Sequence, residues 1–258
     1  MRVATWNVNS LRVRLGHLER WLAEARPDVV CLQETKVVDD DFPVEAIRGF
    51  GYDHVCFWGE QTYNGVAILS KLPLTDIHLG IDDHEHDTQP RVAAATVAGV
   101  RIYTCYVPNG QAVGSPKFAY KLRWLDRLRM WIARDHTPDD AVLVCGDMNI
   151  APDDLDTWDP FQTEGQLLCH PEERERLRRL LDWGLVDAWR ELHPFTSEFT
   201  WWDYRRMGFE RNHGLRIDHI FVTRPLFERT RDVTIWREVR GWDQPSDHVP
   251  VSIDLDRA

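Results

Sequence analysis

The sequence predicts an α/β protein in which two β-sheets pack face to face and helices cover the outside. Three observations carry this expectation. Short apolar runs of strand length recur from one end of the chain to the other, and only three stretches show helical spacing. Neither a shift of composition nor a Pro/Ser-rich linker divides the chain, so residues 1–258 read as one domain. A chain of 258 residues can bury roughly three quarters of its unfolded surface, and two-layer β architectures of ~200–250 residues commonly form a single domain.

Taken in order, Val3 to Val8 reads as a strand. Leu11, Leu15, Leu18 and Leu22 then recur at helical spacing until Pro27 breaks the pattern. The run from Asp28 to Gln33 reads as a buried strand ending at Glu34. Further strands are expected at His54–Trp58, Gly65–Ser70, Arg91–Val97 and Val100–Val107, with residues 82–89 as a polar loop. Residues 117–135 read as a second amphipathic helix, its face marked by Leu122, Leu125, Leu128 or Arg129, and Ile132. Ala141–Cys145 is small and apolar and runs into Gly146, Asp147, Met148 and Asn149. A heavily charged helix at 171–182 follows, then strands at Phe199–Trp202, Leu215–Thr223 and Val249–Leu255.

Composition bounds the class. Apolar residues at 43% and charged residues at 28% exclude a disordered, collagen-like or coiled-coil chain. Lys plus Arg number 31 against 42 Asp plus Glu, a net charge of −11. That total weighs against the basic footprint of a nucleic-acid binder, yet it leaves room for a local groove and for carboxylates gathered around a metal. Cys31, Cys56, Cys105, Cys145 and Cys169 are widely spaced and never CxxC, so neither a disulfide framework nor a zinc site is expected. No apolar run approaches the ~18–20 residues of a membrane helix, and MRVATWNVNS reads as a strand rather than a signal peptide. A cytoplasmic protein without membrane partners is the expectation.

Polar side chains sit where apolar strands end: Asn7 and Asn9, Glu34, Tyr106 with Asn109, Asp147 with Asn149, and Asp247 with His248. Asp218 falls inside a strand, between Ile217 and His219. Each has an ordinary reading when taken alone. Asn7 and the Asp-x-Asn of 147–149 are turn formers, Glu34 a solvated strand end, Tyr106 and Trp201 core aromatics, and His248 an incidental neighbour of a Pro-Ser-Asp turn. His84 and His86 in the polar loop read as surface decoration. Neither a phosphate-binding Gly-rich loop nor a GxSxG elbow is present. Strand ends converge at one edge of a sheet, however, so these side chains can meet in space.

Their order is more informative than any one of them. The chain runs TWNVNSLR (5–12), LQETKV (32–37), YNGVAILSK (63–71), YVPNGQ (106–111), GDMNIAP (146–152), WWDYR (201–205), GLRID (214–218) and PSDHVPV (245–251). This succession resembles the exonuclease III family of apurinic/apyrimidinic endonucleases, within the endonuclease–exonuclease–phosphatase superfamily. The resemblance covers essentially the whole chain. The 109–122 loop is similar to one bacterial branch, and the N-terminal redox extension of mammalian relatives is not expected.

The resemblance implies a four-layer α/β sandwich, two packed mixed β-sheets flanked by helices. It implies a divalent metal, Mg²⁺ with Mn²⁺ as a substitute, at Glu34 with Asn7, Asp147, Asn149, Asp247 and His248 around it. Asp147 would serve the attacking water as base or orienter, Asn149 would donate to the phosphoryl oxygen, and Tyr106 would lie near the phosphate. His248, oriented by Asp218, would contact the same phosphate. Trp201, Leu215 and Ile217 would line an apolar pocket for a base-free sugar, with Asn109 and Asn212 as backbone contacts and Arg205, Arg206 and Arg211 as local positive charge. The implied enzyme is a monomeric DNA repair nuclease. It would cut 5′ to abasic sites in double-stranded DNA and act 3′ to 5′ on ends, blocked 3′ ends included. The rivals are another phosphodiesterase or phosphatase of the superfamily, either a non-specific deoxyribonuclease or an inositol or lipid phosphatase, and a DNA-binding accessory protein without catalysis.

Overall fold

The computed structural model describes residues 1–85 and 87–256, so His86 of the polar loop lies outside the described residues. The chain begins with β1 (Arg2–Asn7), α1 (Leu11–Ala25) and β2 (Val29–Gln33), the two strands pairing parallel. After α2 (Val44–Gly49) come β3 (His54–Trp58), β4 (Val66–Ser70), β5 (Thr75–Leu79), β6 (Val92–Val97) and β7 (Val100–Tyr106). A second crossover, α3 (Pro116–Asp135), leads to β8 (Val142–Asp147), parallel to β7. The remainder is α4 (Pro160–Thr163), α5 (Pro171–Leu181), β9 (Leu185–Asp187), α6 (Ala188–Leu192), β10 (Trp201–Trp202), β11 (Gly214–Leu215), β12 (Asp218–Thr223), α7 (Arg224–Phe227), β13 (Thr230–Ile235) and β14 (Val251–Leu255).

Two six-stranded mixed sheets result, ordered β13-β14-β1-β2-β4-β3 and β5-β6-β7-β8-β12-β9. Each is built on a parallel pair supplied by a strand–helix–strand crossover and is extended by antiparallel neighbours. They pack face to face, β1 and β2 lying against β7, β8 and β12. α1 covers one outer face, where Trp21 meets Trp6 of β1 and Trp236 edge-on. α3 and α5 cover the other, burying Trp124, Leu125, Leu128, Trp131, Leu177 and Leu180 against Tyr103, Val144 and Phe221. This is the expected α/β sandwich of four layers. Among the described residues, no helix is long and apolar enough to cross a membrane.

Strand alternation decides what reaches the site. In β1, Trp6 turns to α1 while Thr5 meets Gln33, which crosses the gap to Thr104 of the second sheet. In β8, Val142 and Val144 join the α3 core, while Leu143 and Cys145 face the first sheet. One more step of the same period carries Asn7 and Asp147 to the mouth of the inter-sheet gap.

The local reading missed elements that carry little local signature. β5 is exposed at every residue and shows no apolar alternation, while β13 buries only Val233 and Ile235 and so offers a short one. Two strand expectations change. The run Leu215–Thr223 is not one strand: Leu215 pairs with Trp201 in a separate hairpin, and β12 starts at Asp218. Asp218 is therefore a strand's first residue rather than an interior one. The break is held by Thr200, whose hydroxyl accepts from the amides of both Ile217 and Asp218. For the same reason Phe199–Trp202 shortens to Trp201–Trp202.

Candidate active site

Five strand ends and one loop supply the site. Asn7 closes β1, Asp147 closes β8 beside Tyr106 of β7, Asp218 opens β12 as the register partner of Asp147, and His248 bridges to Trp201. Glu34 follows β2 in a left-handed conformation (φ 50°), as does Asn149 (φ 50°) after β8. Gly146 is required where it stands. Its φ is 133°, and a Cβ there would fall 1.9 Å from the Cys105 carbonyl oxygen, so only glycine lets β7 approach and set Asp147.

The side chains form one network. Asn7 Nδ2 donates to Glu34 Oε1 (2.8 Å) and to Asp147 Oδ2 (2.9 Å). Asp147 Oδ1 accepts the Asn149 backbone amide at 2.9 Å, and Asn149 Nδ2 donates to the Val107 carbonyl at 2.9 Å. Asn109, at the exposed rim, donates to Asn149 Oδ1 at 3.2 Å. His248 Nδ1 lies 2.8 Å from Asp218 Oδ2, and its Nε2 lies 3.7 Å from Asp147 Oδ2. Ser246 holds the turn, accepting the His248 amide and donating to the Asn7 carbonyl. Asn7, Asp147, Asn149, Asp218 and His248 are all buried.

Other expected residues sit around this centre. Asp247 faces outward from it, accepting from Asn9 Nδ2 and from the Trp201 indole, each at 2.9 Å. Trp201 and the buried Leu215 and Ile217 share a small apolar cluster with Ala151, Leu168 and Cys169. Asn212 is turned away, its side-chain Oδ1 accepting from the Trp202 indole and from Arg237. Tyr106 lies under the Arg91 guanidinium at 4.9 Å. It opens onto a cleft of about 590 Å³ that Tyr63, Arg91, Asn109 and Lys117 also line.

Lys36 was not among the expected residues. Its ammonium lies 2.8 Å from Glu34 Oε2 and 2.6 Å from Asn9 Oδ1. Its signal was its place directly after Gln33-Glu34-Thr35. Lys121 was also missed, although a lysine within the apolar stripe of an amphipathic helix is itself a signal.

Burial pushes the Asp147 carboxyl up to about 7; His248 opposes this, while Asp218 and Glu34 add to it. Burial would lower His248, but the carboxylates of Asp218 and Asp147 outweigh it and push the imidazole up to about 10. Burial raises Tyr106, and Glu34 and Asp147 raise it further. For Asp247, burial is overcome by the His248 charge and by the Trp201 and Asn9 hydrogen bonds, so its carboxyl stays below the usual range.

A histidine raised from 6.5 to about 10 contributes stability that is complete below pH 6.5 and lost as pH rises through about 10. In EDTA, Asp218→Asn should flatten that slope and lower the His248 titration seen by ¹⁵N NMR. An unmoved titration would remove Asp218 as the cause. Asp147 acts in a lower window, between the ordinary carboxylate range and about 7, and with the same sign: because its carboxyl is raised in the fold, stability falls as pH rises through that window.

Ligand atoms of Glu34, Asp147 and His248 lie within 4.8 Å of one another. The carboxylates of Glu34 and Asp147 are hard oxygen donors that fit a divalent cation, and Asn7 turns its amide nitrogen toward both of them. A His248 pushed up to about 10 carries a proton at neutral pH and serves as a fixed positive neighbour there.

Comparison with known proteins bears on the chain as a whole. A model of the Endonuclease/Exonuclease/phosphatase family matches residues 4–248. Exodeoxyribonuclease III of Haemophilus influenzae is 36% identical over 263 residues, spanning 97% of this chain and 98% of that protein. The solved 3′ phosphatase NExo from Neisseria, bound to a product DNA hairpin, superposes with a TM-score of 0.96 at 42% identity over 99% of each chain. An AP endonuclease from Archaeoglobus fulgidus gives a TM-score of 0.95 at 38% identity, again over 99% of each chain. With strand-end carboxylates meeting at the mouth of a two-sheet sandwich and full-length likeness to these enzymes, the chain belongs to the endonuclease/exonuclease/phosphatase family, in the branch of exodeoxyribonuclease III and the AP endonucleases.

Proposed function

We propose that the chain is a DNA repair nuclease that hydrolyses the phosphodiester 5′ to abasic sites in duplex DNA and trims 3′ ends, with Mg²⁺ as its cation and Mn²⁺ as a substitute. The observation that carries this reading is the meeting of Asn7, Glu34, Asp147, Asn149, Asp218 and His248 at one mouth, next to the apolar cluster of Trp201, Leu215 and Ile217.

Glu34 and Asp147, with Asn7 beside them, would hold the cation, which when bound supplies positive charge against the phosphate and the departing 3′-oxygen. Ionised Asp147 orients a water and takes its proton as the new P–O bond forms and the P–O3′ bond breaks, and the departing 3′-oxygen takes a proton from solvent water to leave as the 3′-hydroxyl. The His248 imidazolium, and Asn149 by exchanging its 3.3 Å bond to Asp147 Oδ2, donate to the phosphoryl oxygens, both in places set before substrate arrives. Tyr106 adds a hydroxyl that stays protonated because burial and the two carboxylates raise it. Asp218 acts through His248 by holding its ring and its charge.

A base-free sugar is unstacked and cheap to extrude, and an apolar pocket can receive it while excluding a base. The test is a labelled duplex with a single abasic analogue, incubated with Mg²⁺ or with EDTA. Incision confined to the abasic position and abolished by EDTA is expected. Cleavage of intact duplex at equal rate, or of inositol phosphates alone, would assign the site to another reaction of the family.

Recognition is tested separately by Trp201→Ala. Discrimination between abasic and intact duplex should fall by roughly tenfold, the scale on which apolar pockets select by size. General affinity, carried by phosphate contacts and hence by salt, should change less. Equal losses for both duplexes across a salt series would make Trp201 a core residue.

A further inference from the structure

Lys121 and Glu173 form an ion pair in which both side chains are wholly buried. Taking two charges out of water is costly, and apolar residues of similar volume commonly serve a core as well or better. Their placement gives the pair another use. Lys121 lies on α3 and Glu173 in the first turn of α5, where Glu173 Oε2 also accepts the His170 amide in a capping box. The ammonium has three protons, and three segments accept them: Glu173, the Asn149 carbonyl at 2.7 Å and the Asn109 carbonyl at 3.3 Å.

Asn149 is held at every polar group. Its N–H donates to Asp147, its side-chain amide to Val107, its side-chain oxygen accepts from Asn109, and its carbonyl accepts from Lys121. It does so with φ at 50°, in the left-handed region that asparagine tolerates better than other non-glycine residues. Lys121 thus holds Asn149 directly and also holds the residue that anchors the Asn149 side chain. Glu173 fixes the ammonium from the far side.

We propose that Lys121 and Glu173 are positioning residues for phosphodiester hydrolysis, a buried clamp that sets the Asn149 loop against the reacting phosphate. They touch no substrate and act through Asn149. The inference rests on the nuclease reading above. A displacement of about 1 Å at such a donor can cost on the order of 10²-fold in rate.

The experiment separates position from stability. Lys121→Met alone leaves a buried, unpaired Glu173 and should melt early. Lys121→Met with Glu173→Leu removes both charges and should recover most of the melting temperature. Its kcat on abasic duplex should stay about 10- to 100-fold below wild type with KM within about threefold. Recovery of kcat together with stability would make the pair structural only and overturn the proposal. Lys121→Arg, which keeps the charge pair, is the second variant. A planar fork cannot reproduce three donors around one nitrogen, so kcat should fall at least about fivefold at unchanged KM and melting temperature. Wild-type kcat there would also overturn it. In an Asn149→Ala background the Met/Leu pair should cost little more, and an additive loss would show that it does not act through Asn149. Failure of wild type on abasic duplex would instead sink the substrate reading, and the same variants would then be compared on the phosphodiester it does cleave.

Discussion

Replacing Asp147 with Asn, or Asn149 with Ala, should lower kcat by about 10²- to 10³-fold while leaving KM nearly unchanged. Both residues are buried and held before substrate binds, Asp147 by Asn7 and the Asn149 amide, Asn149 by Val107 and Asn109. Interactions of that kind tighten as charge moves in the transition state, so their loss appears in turnover rather than in binding. Asp147→Asn keeps the size of the side chain, and Asn149 can still donate its amide to the remaining oxygen. Circular dichroism should therefore show an intact fold. The pH profile offers a second reading. Burial holds the Asp147 carboxyl up to about 7 without a cation, and a bound cation would bring it down. Activity should rise with pH as this group ionises, with an acidic limb that moves to lower pH as Mg²⁺ is raised and vanishes from the residual activity of Asp147→Asn. A rise in KM at constant kcat would reassign both residues to substrate placement.

What the sequence could reveal divides along a physical line. Period-two alternation is local, so the strands that bury one face against the other sheet could be read directly, and with them the side chains they deliver: Asn7 from β1, Asp147 from β8. The exposed edge strand β5 has no such alternation because neither of its faces is buried. The break between Leu215 and Asp218 depends on Thr200 reaching both amides, a contact across eighteen residues that no periodicity encodes. Partner choice was the least legible feature. Asp247 stands next to His248 in sequence, yet its oxygens face Asn9 and Trp201, while His248 turns to Asp218. Adjacent residues at a tight turn point to opposite sides, so order along the chain names the residues of the site without naming their contacts. Lys121 illustrates the remaining gap. Its burial is visible as a charge within an apolar stripe, but what it holds comes from three separate segments.

Glu34→Ala should reduce the rate at limiting Mg²⁺ by at least about 10²-fold, with part of the loss recovered as Mg²⁺ is raised. The local chain is built to present this carboxylate. Glu34 adopts φ 50° at the end of β2, and the next two amides donate to the carbonyls of Gly65 and Asn64. Gly65 is needed for that approach, since a Cβ there would stand 2.1 Å from the Thr35 hydroxyl. Glu34 is then shared between Asn7 on one oxygen and Lys36 on the other. Lys36 compensates the carboxylate, so a cation must draw on a group that is already paired, and its affinity should be moderate rather than tight. Glu34→Gln separates charge from shape. Its amide oxygen can still accept from Asn7, but its nitrogen would face the Lys36 ammonium, and a neutral oxygen is a poorer partner for a hard cation than a carboxylate. Both variants should keep the fold and should bind abasic duplex in EDTA as wild type does, because phosphate and pocket contacts lie elsewhere. Rate against Mg²⁺ concentration, with heat of Mg²⁺ binding measured in parallel, checks the claim. An unchanged rate at limiting Mg²⁺ in Glu34→Ala would take this residue out of the cation site and leave the arrangement of Asn7, Glu34 and Lys36 as a structural tie between β1 and the loop after β2.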